Sequence, residues 1–317
     1  MLEAITDKAL ASQVLSQKEA MYVATEAELP DLLAVAAKVR ELHMGKMADF
    51  CAIVSAKTGA CQEDCSYCAQ SARSKARLTA TPLISKAEVI EKARSSKEAG
   101  AKRFCIVTSG RAASDGELES IAGYVSAVRE EALAPCATLG LLGTEELKKL
   151  KKAGLNRYHH NLETSRRYFP EVCSTHTYDQ KLETIRAAKD AGLSVCSGGI
   201  FGLGESWEDR IEMARELHKL DVDSIPINFL VPIPGTPLGK CEPLPPFEAL
   251  RIISLYRLLL PDRQIRVCGG RLQTLGAMNS MVFMAGADGL LTGDCLTVAG
   301  CKPDEDMELA RAYGLEF

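Results

Sequence analysis

Apolar residues recur along this chain with two alternating periods, and that alternation sets the expected fold. The stretch 2–16 carries Leu2, Ile5, Ala9, Leu10 and Val14 at helical spacing, and 27–44 is again amphipathic, so two helices are predicted ahead of the first strand. CAIVSA (51–56) is a short apolar run of β type. From there a helix-then-strand unit recurs about every 30 residues. Helices are predicted over 85–100, 115–131, 144–154, 178–192, 206–219, 247–260, 271–286 and about 303–314. Strands are predicted over 103–110, 135–140, 156–163, 194–204, 224–232, 264–270 and 288–293. The helices carry boundary signals: Ser85 three residues before Glu88 reads as a capping box, Thr144 as a cap, and Gly100 and Gly154 as stops.

Strands alternating with helices through short turns imply a parallel sheet. Eight such units, in about 270 residues, predict an α/β fold of (β/α)8 TIM-type, closed into a barrel. An open doubly wound sheet is the alternative architecture. Residues 1–44 form an N-terminal helical extension, 303–317 a C-terminal helix, and no Gly-rich linker divides 1–317, so a single domain is expected. The Pro-rich stretch 231–246 follows the sixth strand, and in a barrel that loop lies at the active-site face.

Composition narrows the class. The 317 residues are 46% hydrophobic and 25% charged, ordinary for a globular enzyme. A net charge of −4 gives no general attraction to nucleic acid or to anionic membranes. No apolar run reaches the ~18–20 residues of a membrane span, and the start has no apolar signal core. A cytoplasmic protein is expected. Twelve cysteines in such a chain read as ligands or buried hydrophobes rather than as a disulfide framework.

Cys61, Cys65 and Cys68 sit in GACQEDCSYCAQ, a CxxxCxxC spacing. Three thiolates on one short loop can face a single 4Fe–4S cube and leave its fourth iron open. An open iron can chelate a small molecule through its amine and carboxylate. The loop resembles the S-adenosylmethionine (SAM) loop of radical SAM enzymes, in which an aromatic residue, here Tyr67, precedes the third cysteine. Structural zinc, the bland alternative, takes four ligands in two knuckles, and no second knuckle follows.

A second set of cysteines falls on predicted strands: Cys105, Cys136 and Cys196. Each alone reads as a small core residue. The seventh strand adds Arg266 and Cys268, which, two apart, share a face. A buried cation needs an anionic partner, and a thiolate cluster is one. His159 and His160 are adjacent and point to opposite faces, which argues against a paired His metal site.

With these residues in view, the chain resembles the biotin synthase family of radical SAM enzymes over nearly its whole length. The matching stretches include CQEDCSYCAQS, RFC, CATLG, YHHNLETS, AGLSVCSGGIFGLGE, PINFLVPIPGTPL, IRVCGGR and FMAGAD. The resemblance implies a barrel with two iron–sulfur clusters. Cys61, Cys65 and Cys68 would hold the SAM-binding 4Fe–4S cluster. Cys105, Cys136, Cys196 and Arg266 would hold an auxiliary cluster, 2Fe–2S in the family, that gives its sulfur to dethiobiotin. Tyr67, Asn161, Glu163 and Lys181 would contact SAM; His159, Asn161 and Asn228 would contact substrate. The Ser197–Gly199 turn would let backbone approach a ligand. A reduced flavodoxin or ferredoxin-type donor and a homodimer are implied as partners. Another radical SAM enzyme of the subgroup (a methylornithine synthase or a hydrogenase-cofactor maturase) and a non-catalytic iron–sulfur scaffold are the rival readings.

The chain departs from the family at four places. His159 stands for an Asn at the substrate, Glu163 for an Asp at the SAM ribose, and Lys181 for an Arg at the SAM carboxylate, where a point charge replaces a bidentate fork. Cys268 stands for a Ser beside the cluster arginine. Thiolate is a far better iron ligand than guanidinium, so Cys268 is expected to join or adjoin the auxiliary cluster and favour a 4Fe type; the alternative is a small buried residue, with Arg266 still ligating a 2Fe–2S cluster. Cys51, Cys173, Cys241, Cys295 and Cys301 carry no role in this reading.

Overall fold

Alternation along the first strand already separates an inside from an outside. In β1 (Asp49–Lys57), Phe50, Ala52, Val54 and Ala56 are buried and join the apolar core that also holds Val89 and Ala93 of the helix Lys86–Glu98. Cys51 and Ile53 point the other way, into the barrel. The computed structural model describes residues 1–76, 78–296 and 298–317.

The remaining strands are β2 (Arg103–Thr108), β3 (Ala134–Thr138), β4 (Arg157–His159), β5 (Ser194–Cys196), β6 (Gly199–Phe201), β7 (Ser224–Phe229), β8 (Gln264–Val267) and β9 (Gly289–Leu291). Every neighbouring pair is parallel. Because β1 pairs with both β2 and β9, and β5 and β6 both reach β7, the sheet closes on itself. The predicted fifth strand is one stave in two pieces, β5 and β6, broken at Ser197 and Gly198. Eight staves therefore form the expected (β/α)8 barrel rather than an open sheet.

The break has a packing cause. A Cβ on Gly198 would lie 2.1 Å from the Pro226 carbonyl oxygen, and one on Gly199 would lie 2.4 Å from that of Glu163. The backbone these glycines admit is the protein's own. Neighbouring strands therefore suffice to require glycine at both positions.

Helix ends follow the local chemistry. Ser85 accepts from the Glu88 amide at 3.2 Å, and Thr177 and Ser206 start the helices Tyr178–Asp190 and Trp207–Lys219 with capping boxes. Thr144 is the first helical residue rather than the cap: Gly143 is the cap, and its amide donates to Glu146 at 2.6 Å. The predicted helix 2–16 ends at Leu10, because Ser16 and Glu19 form a capping box that opens a separate helix, Gln17–Thr25. The predicted helix 271–286 ends at Leu275, where Gly276 takes a left-handed φ of 49° and a 3-10 turn follows. The N-terminal helices bury Ile5, Val23, Leu32 and Val39 against Ile211, Leu255 and Leu258. Among the described residues, no helix is long and apolar enough to cross a membrane.

Candidate active site

Inward-facing side chains of the strands meet in one cavity of about 390 Å3. Its floor is a network of charge. Asp49 on β1 accepts from Arg103 on β2 and Arg266 on β8, both at 2.9 Å, and from Gln264 at 2.7 Å. Arg157 on β4 donates to Gln264 at 2.8 Å and to Ser194 at 2.9 Å. Burial alone would raise the Asp49 pKa, but the Arg266 and Arg103 guanidiniums outweigh it and hold the carboxyl well below the usual carboxylate range. Arg103 and Arg266 thus share one carboxylate, Arg157 joins them only through Gln264, and the floor carries excess positive charge.

Above this floor stand Cys51, Cys105, Cys136, Cys196 and Cys268, all lining the cavity. Cys105 and Cys136 are register partners on β2 and β3. Burial pushes the Cys51 thiol up to about 12, and it pushes Cys268 well above the usual thiol range, with Cys51 adding to the shift. Such thiols are neutral on their own. They become thiolates when a metal displaces the proton. A cluster of thiolates over surplus guanidinium is electrostatically matched, so this donor set fits an anionic iron–sulfur cluster. Both terminal nitrogens of Arg266 are already engaged, Nη1 by the Asp49 carbonyl at 2.9 Å and Nη2 by Asp49 and by Gln264 at 3.0 Å.

The cysteine loop closes the other end. Cys61, Tyr67 and Cys68 line the cavity. Cys65 instead turns to Cys173, with Sγ–Sγ 3.8 Å, and neither is among the cavity-lining residues. The loop is anchored through its own acids. Asp64 accepts from the Ser174 amide at 2.8 Å, the Ser174 hydroxyl at 2.6 Å and the Thr175 amide at 3.2 Å. Glu63 accepts from the Thr175 hydroxyl at 2.5 Å and pairs with His176. These contacts place the three loop cysteines at the C-terminal mouth of the barrel, where the strand-end residues converge.

The predicted ligand contacts divide in two. His159 faces the cavity, and burial lowers its imidazole to about 4, so the ring is neutral. Asn161 receives the Gly198 amide at 3.1 Å and donates to Glu163 at 3.4 Å. Glu163 holds a φ of 74°, and its carboxyl pairs with the Tyr67 phenol. Burial raises that carboxyl above its usual range, against the pull of Lys181. Asn228 donates to the Gly199 carbonyl at 3.1 Å and accepts from the Gly269 amide at 2.9 Å, which leaves one amide hydrogen for a ligand. Lys181 lies outside the cavity lining. Its ammonium donates to the Asn161 carbonyl at 3.0 Å and sits over the Phe169 ring.

Sequence reasoning gave no role to Cys51 and Cys295, which line the cavity, or to Asp49, Arg103 and Arg157 on its floor. For Cys51 a signal was present: its strand alternates, with Cys51 and Ile53 on the face opposite Phe50 and Ala52. All twelve cysteines are free thiols, Cys295 and Cys301 included.

Comparison with known proteins fixes the family. Residues 56–217 match the radical SAM superfamily, and 226–316 match the biotin and thiamin synthesis associated domain. The biotin synthase of Thermodesulfovibrio yellowstonii is 49% identical, covering 92% of each chain. That of Syntrophotalea carbinolica is 47% identical, covering 99% of this chain and 97% of its own. The chain belongs to the biotin synthase family. A solved methylornithine synthase superposes with TM-score 0.84 at 22% identity, covering 98% of this chain and 96% of its own. A hydrogenase maturase gives 0.85 at 18%, covering 98% and 74%. At those identities the likeness is one of barrel architecture. Biotin synthase membership implies a 4Fe–4S cluster and SAM, and the loop of Cys61, Cys65 and Cys68 is the thiol set at the barrel mouth.

Proposed function

We propose that this chain forms biotin from dethiobiotin by radical sulfur insertion, and that its auxiliary cluster is held by thiolates alone. The observation that carries the reading is one cavity with a cysteine loop at its mouth and five thiols over a guanidinium floor. When bound, the SAM-loaded 4Fe–4S cluster supplies the 5′-deoxyadenosyl radical and the auxiliary cluster supplies the sulfur.

The chain's own residues supply placement. Cys61 and Cys68, together with Cys65 once it turns from Cys173, would hold the first cluster, three thiolates leaving one iron for SAM. Tyr67, Asn161 and Glu163 frame SAM where the loop meets the fourth strand. Lys181 serves that frame from behind, through the Asn161 carbonyl. His159, Asn161 and Asn228 receive the polar end of dethiobiotin. Cys105, Cys136, Cys196 and Cys268 hold the auxiliary cluster, which favours a 4Fe type over 2Fe–2S. Arg266 acts as a charge partner beneath it, because Asp49 and Gln264 occupy its terminal nitrogens. Apolar Leu230, Val231 and Ile233 help to exclude water from the cavity. A reduced flavodoxin or ferredoxin-type donor, a homodimer and a cytoplasmic setting complete the proposal.

The test is anaerobic incubation with dethiobiotin, SAM and reductant. Biotin is the expected product. Production of 5′-deoxyadenosine without biotin would indicate another radical SAM reaction, and neither product would indicate an iron–sulfur scaffold.

A further inference from the structure

Thr138 sits between two groups that the reaction must keep in register. Its hydroxyl oxygen lies 2.9 Å from Nδ1 of His159 and 3.5 Å from Sγ of Cys105. The three residues come from three adjacent staves, β2, β3 and β4, and all line the cavity. Thr138 thus touches both a cluster thiol and the imidazole that replaces the family asparagine.

Counting protons fixes the direction of the bonds. A threonine hydroxyl has one hydrogen and can accept as well. With Cys105 bound to iron, its sulfur is a thiolate and can only accept. The Thr138 hydrogen therefore points at Cys105, and Thr138 must accept from His159. That places the imidazole proton on Nδ1. The second nitrogen, Nε2, is then bare and can only accept, with the Asn161 side chain also within hydrogen-bonding reach of the ring.

We propose that Thr138 is a positioning residue that links the auxiliary cluster to the substrate: it donates to the Cys105 ligand and fixes His159 as the tautomer whose Nε2 accepts an N–H of the substrate's cyclic urea. The first half concerns the protein and cluster alone. The second half rests on the biotin synthase reading. An asparagine can present either its carbonyl oxygen or its NH2 to a ligand, whereas this histidine, tied at Nδ1, presents an acceptor only. A hydrogen bond to a ligating sulfur also stabilises the more negative, reduced cluster.

The test compares anaerobically reconstituted wild type, Thr138→Val, which keeps the shape and removes the hydroxyl, and Thr138→Ser, which keeps the hydroxyl. Iron and sulfide content is measured first. The auxiliary cluster's midpoint potential is followed by Mössbauer- and EPR-monitored redox titration, and dethiobiotin affinity by equilibrium binding. Thr138→Val is expected to lower the potential and weaken dethiobiotin binding by about fivefold, the cost of one ordinary hydrogen bond. Thr138→Ser is expected to stay near wild type in both. A valine chain that takes up no auxiliary cluster, while the serine chain does, also supports the hydroxyl link. A fully loaded valine chain with unchanged potential and affinity overturns the proposal, and so does a serine chain that behaves as the valine chain. A wild type that binds no dethiobiotin would instead sink the biotin synthase reading, and the potential shift would still test the bond to Cys105.

Discussion

Asp49 on the first stave and Arg266 on the seventh meet beneath the last stave, β9, which lies between them, with Oδ2 and Nη2 2.9 Å apart. The same carboxylate also holds Arg103. It is the point at which the positive floor is partly neutralised.

Asp49→Asn should therefore destabilise the protein by about 3 kcal/mol near neutral pH, the usual cost of breaking a buried pair. The pH dependence follows in sign. The Asp49 carboxyl is held below its ordinary value in the fold, so its contribution is complete above the ordinary aspartate pKa of about 4 and is lost as pH falls from there through the folded value. Denaturant melts of both chains from pH 7 to pH 3 check this. The gap between them should stay constant down to about pH 5 and narrow below about pH 4. A gap that widens on acidification would refute the assignment.

Cys268→Ser should lower the iron and sulfide bound per chain and change the auxiliary Mössbauer spectrum, leaving the SAM-binding cluster intact. Unchanged stoichiometry and spectra would remove Cys268 from the ligand set. Arg266→Met is the companion variant. If the arginine is a charge partner, it should weaken cluster retention without changing cluster type.

Asp64→Ala deletes the acceptor of the Ser174 and Thr175 amides and of the Ser174 hydroxyl. Net bonds of about 1 kcal/mol each predict about tenfold or faster loss of iron from the SAM-binding cluster to a chelator. The barrel cluster should lose iron at the wild-type rate. Equal loss from both clusters would show that the effect is global.

Gly198→Ala and Gly192→Ala separate crowding from backbone preference. Gly198 has a carbonyl oxygen 2.1 Å from where its Cβ would lie, whereas Gly192 has a φ of 74° and open space around it. Thermal melts should show a loss of about 3 kcal/mol or more at Gly198 and about 1 kcal/mol at Gly192. Similar losses at both would mean that the broken stave relaxes readily.

The barrel was legible because its signals are local: apolar runs, Ser and Thr caps, and glycine stops repeat unit by unit. The cysteine loop was legible for the same reason, since its three thiols fall within eight residues. The convergence of Cys105, Cys136 and Cys196 followed from strand position and period. The helix Gln17–Thr25 was missed because apolar periodicity was followed through Ser16, whose capping box restarts the helix. The floor was missed for a different reason. Asp49, Arg103 and Arg157 each begin a strand, where charge ordinarily signals solvent, and only barrel closure brings them together. The contact of Cys65 with Cys173 spans 108 residues and has no local mark.

The guanidinium floor has a consequence for electron bookkeeping. An auxiliary cluster held by Cys105, Cys136, Cys196 and Cys268 would have one electron to accommodate for each sulfide it gave to a carbon-centred radical. The surplus positive charge of Arg103, Arg157 and Arg266 over Asp49 would favour that more reduced state. The barrel bottom, far from the SAM that starts each cycle, would thereby help to decide whether the new bond holds or the radical is released.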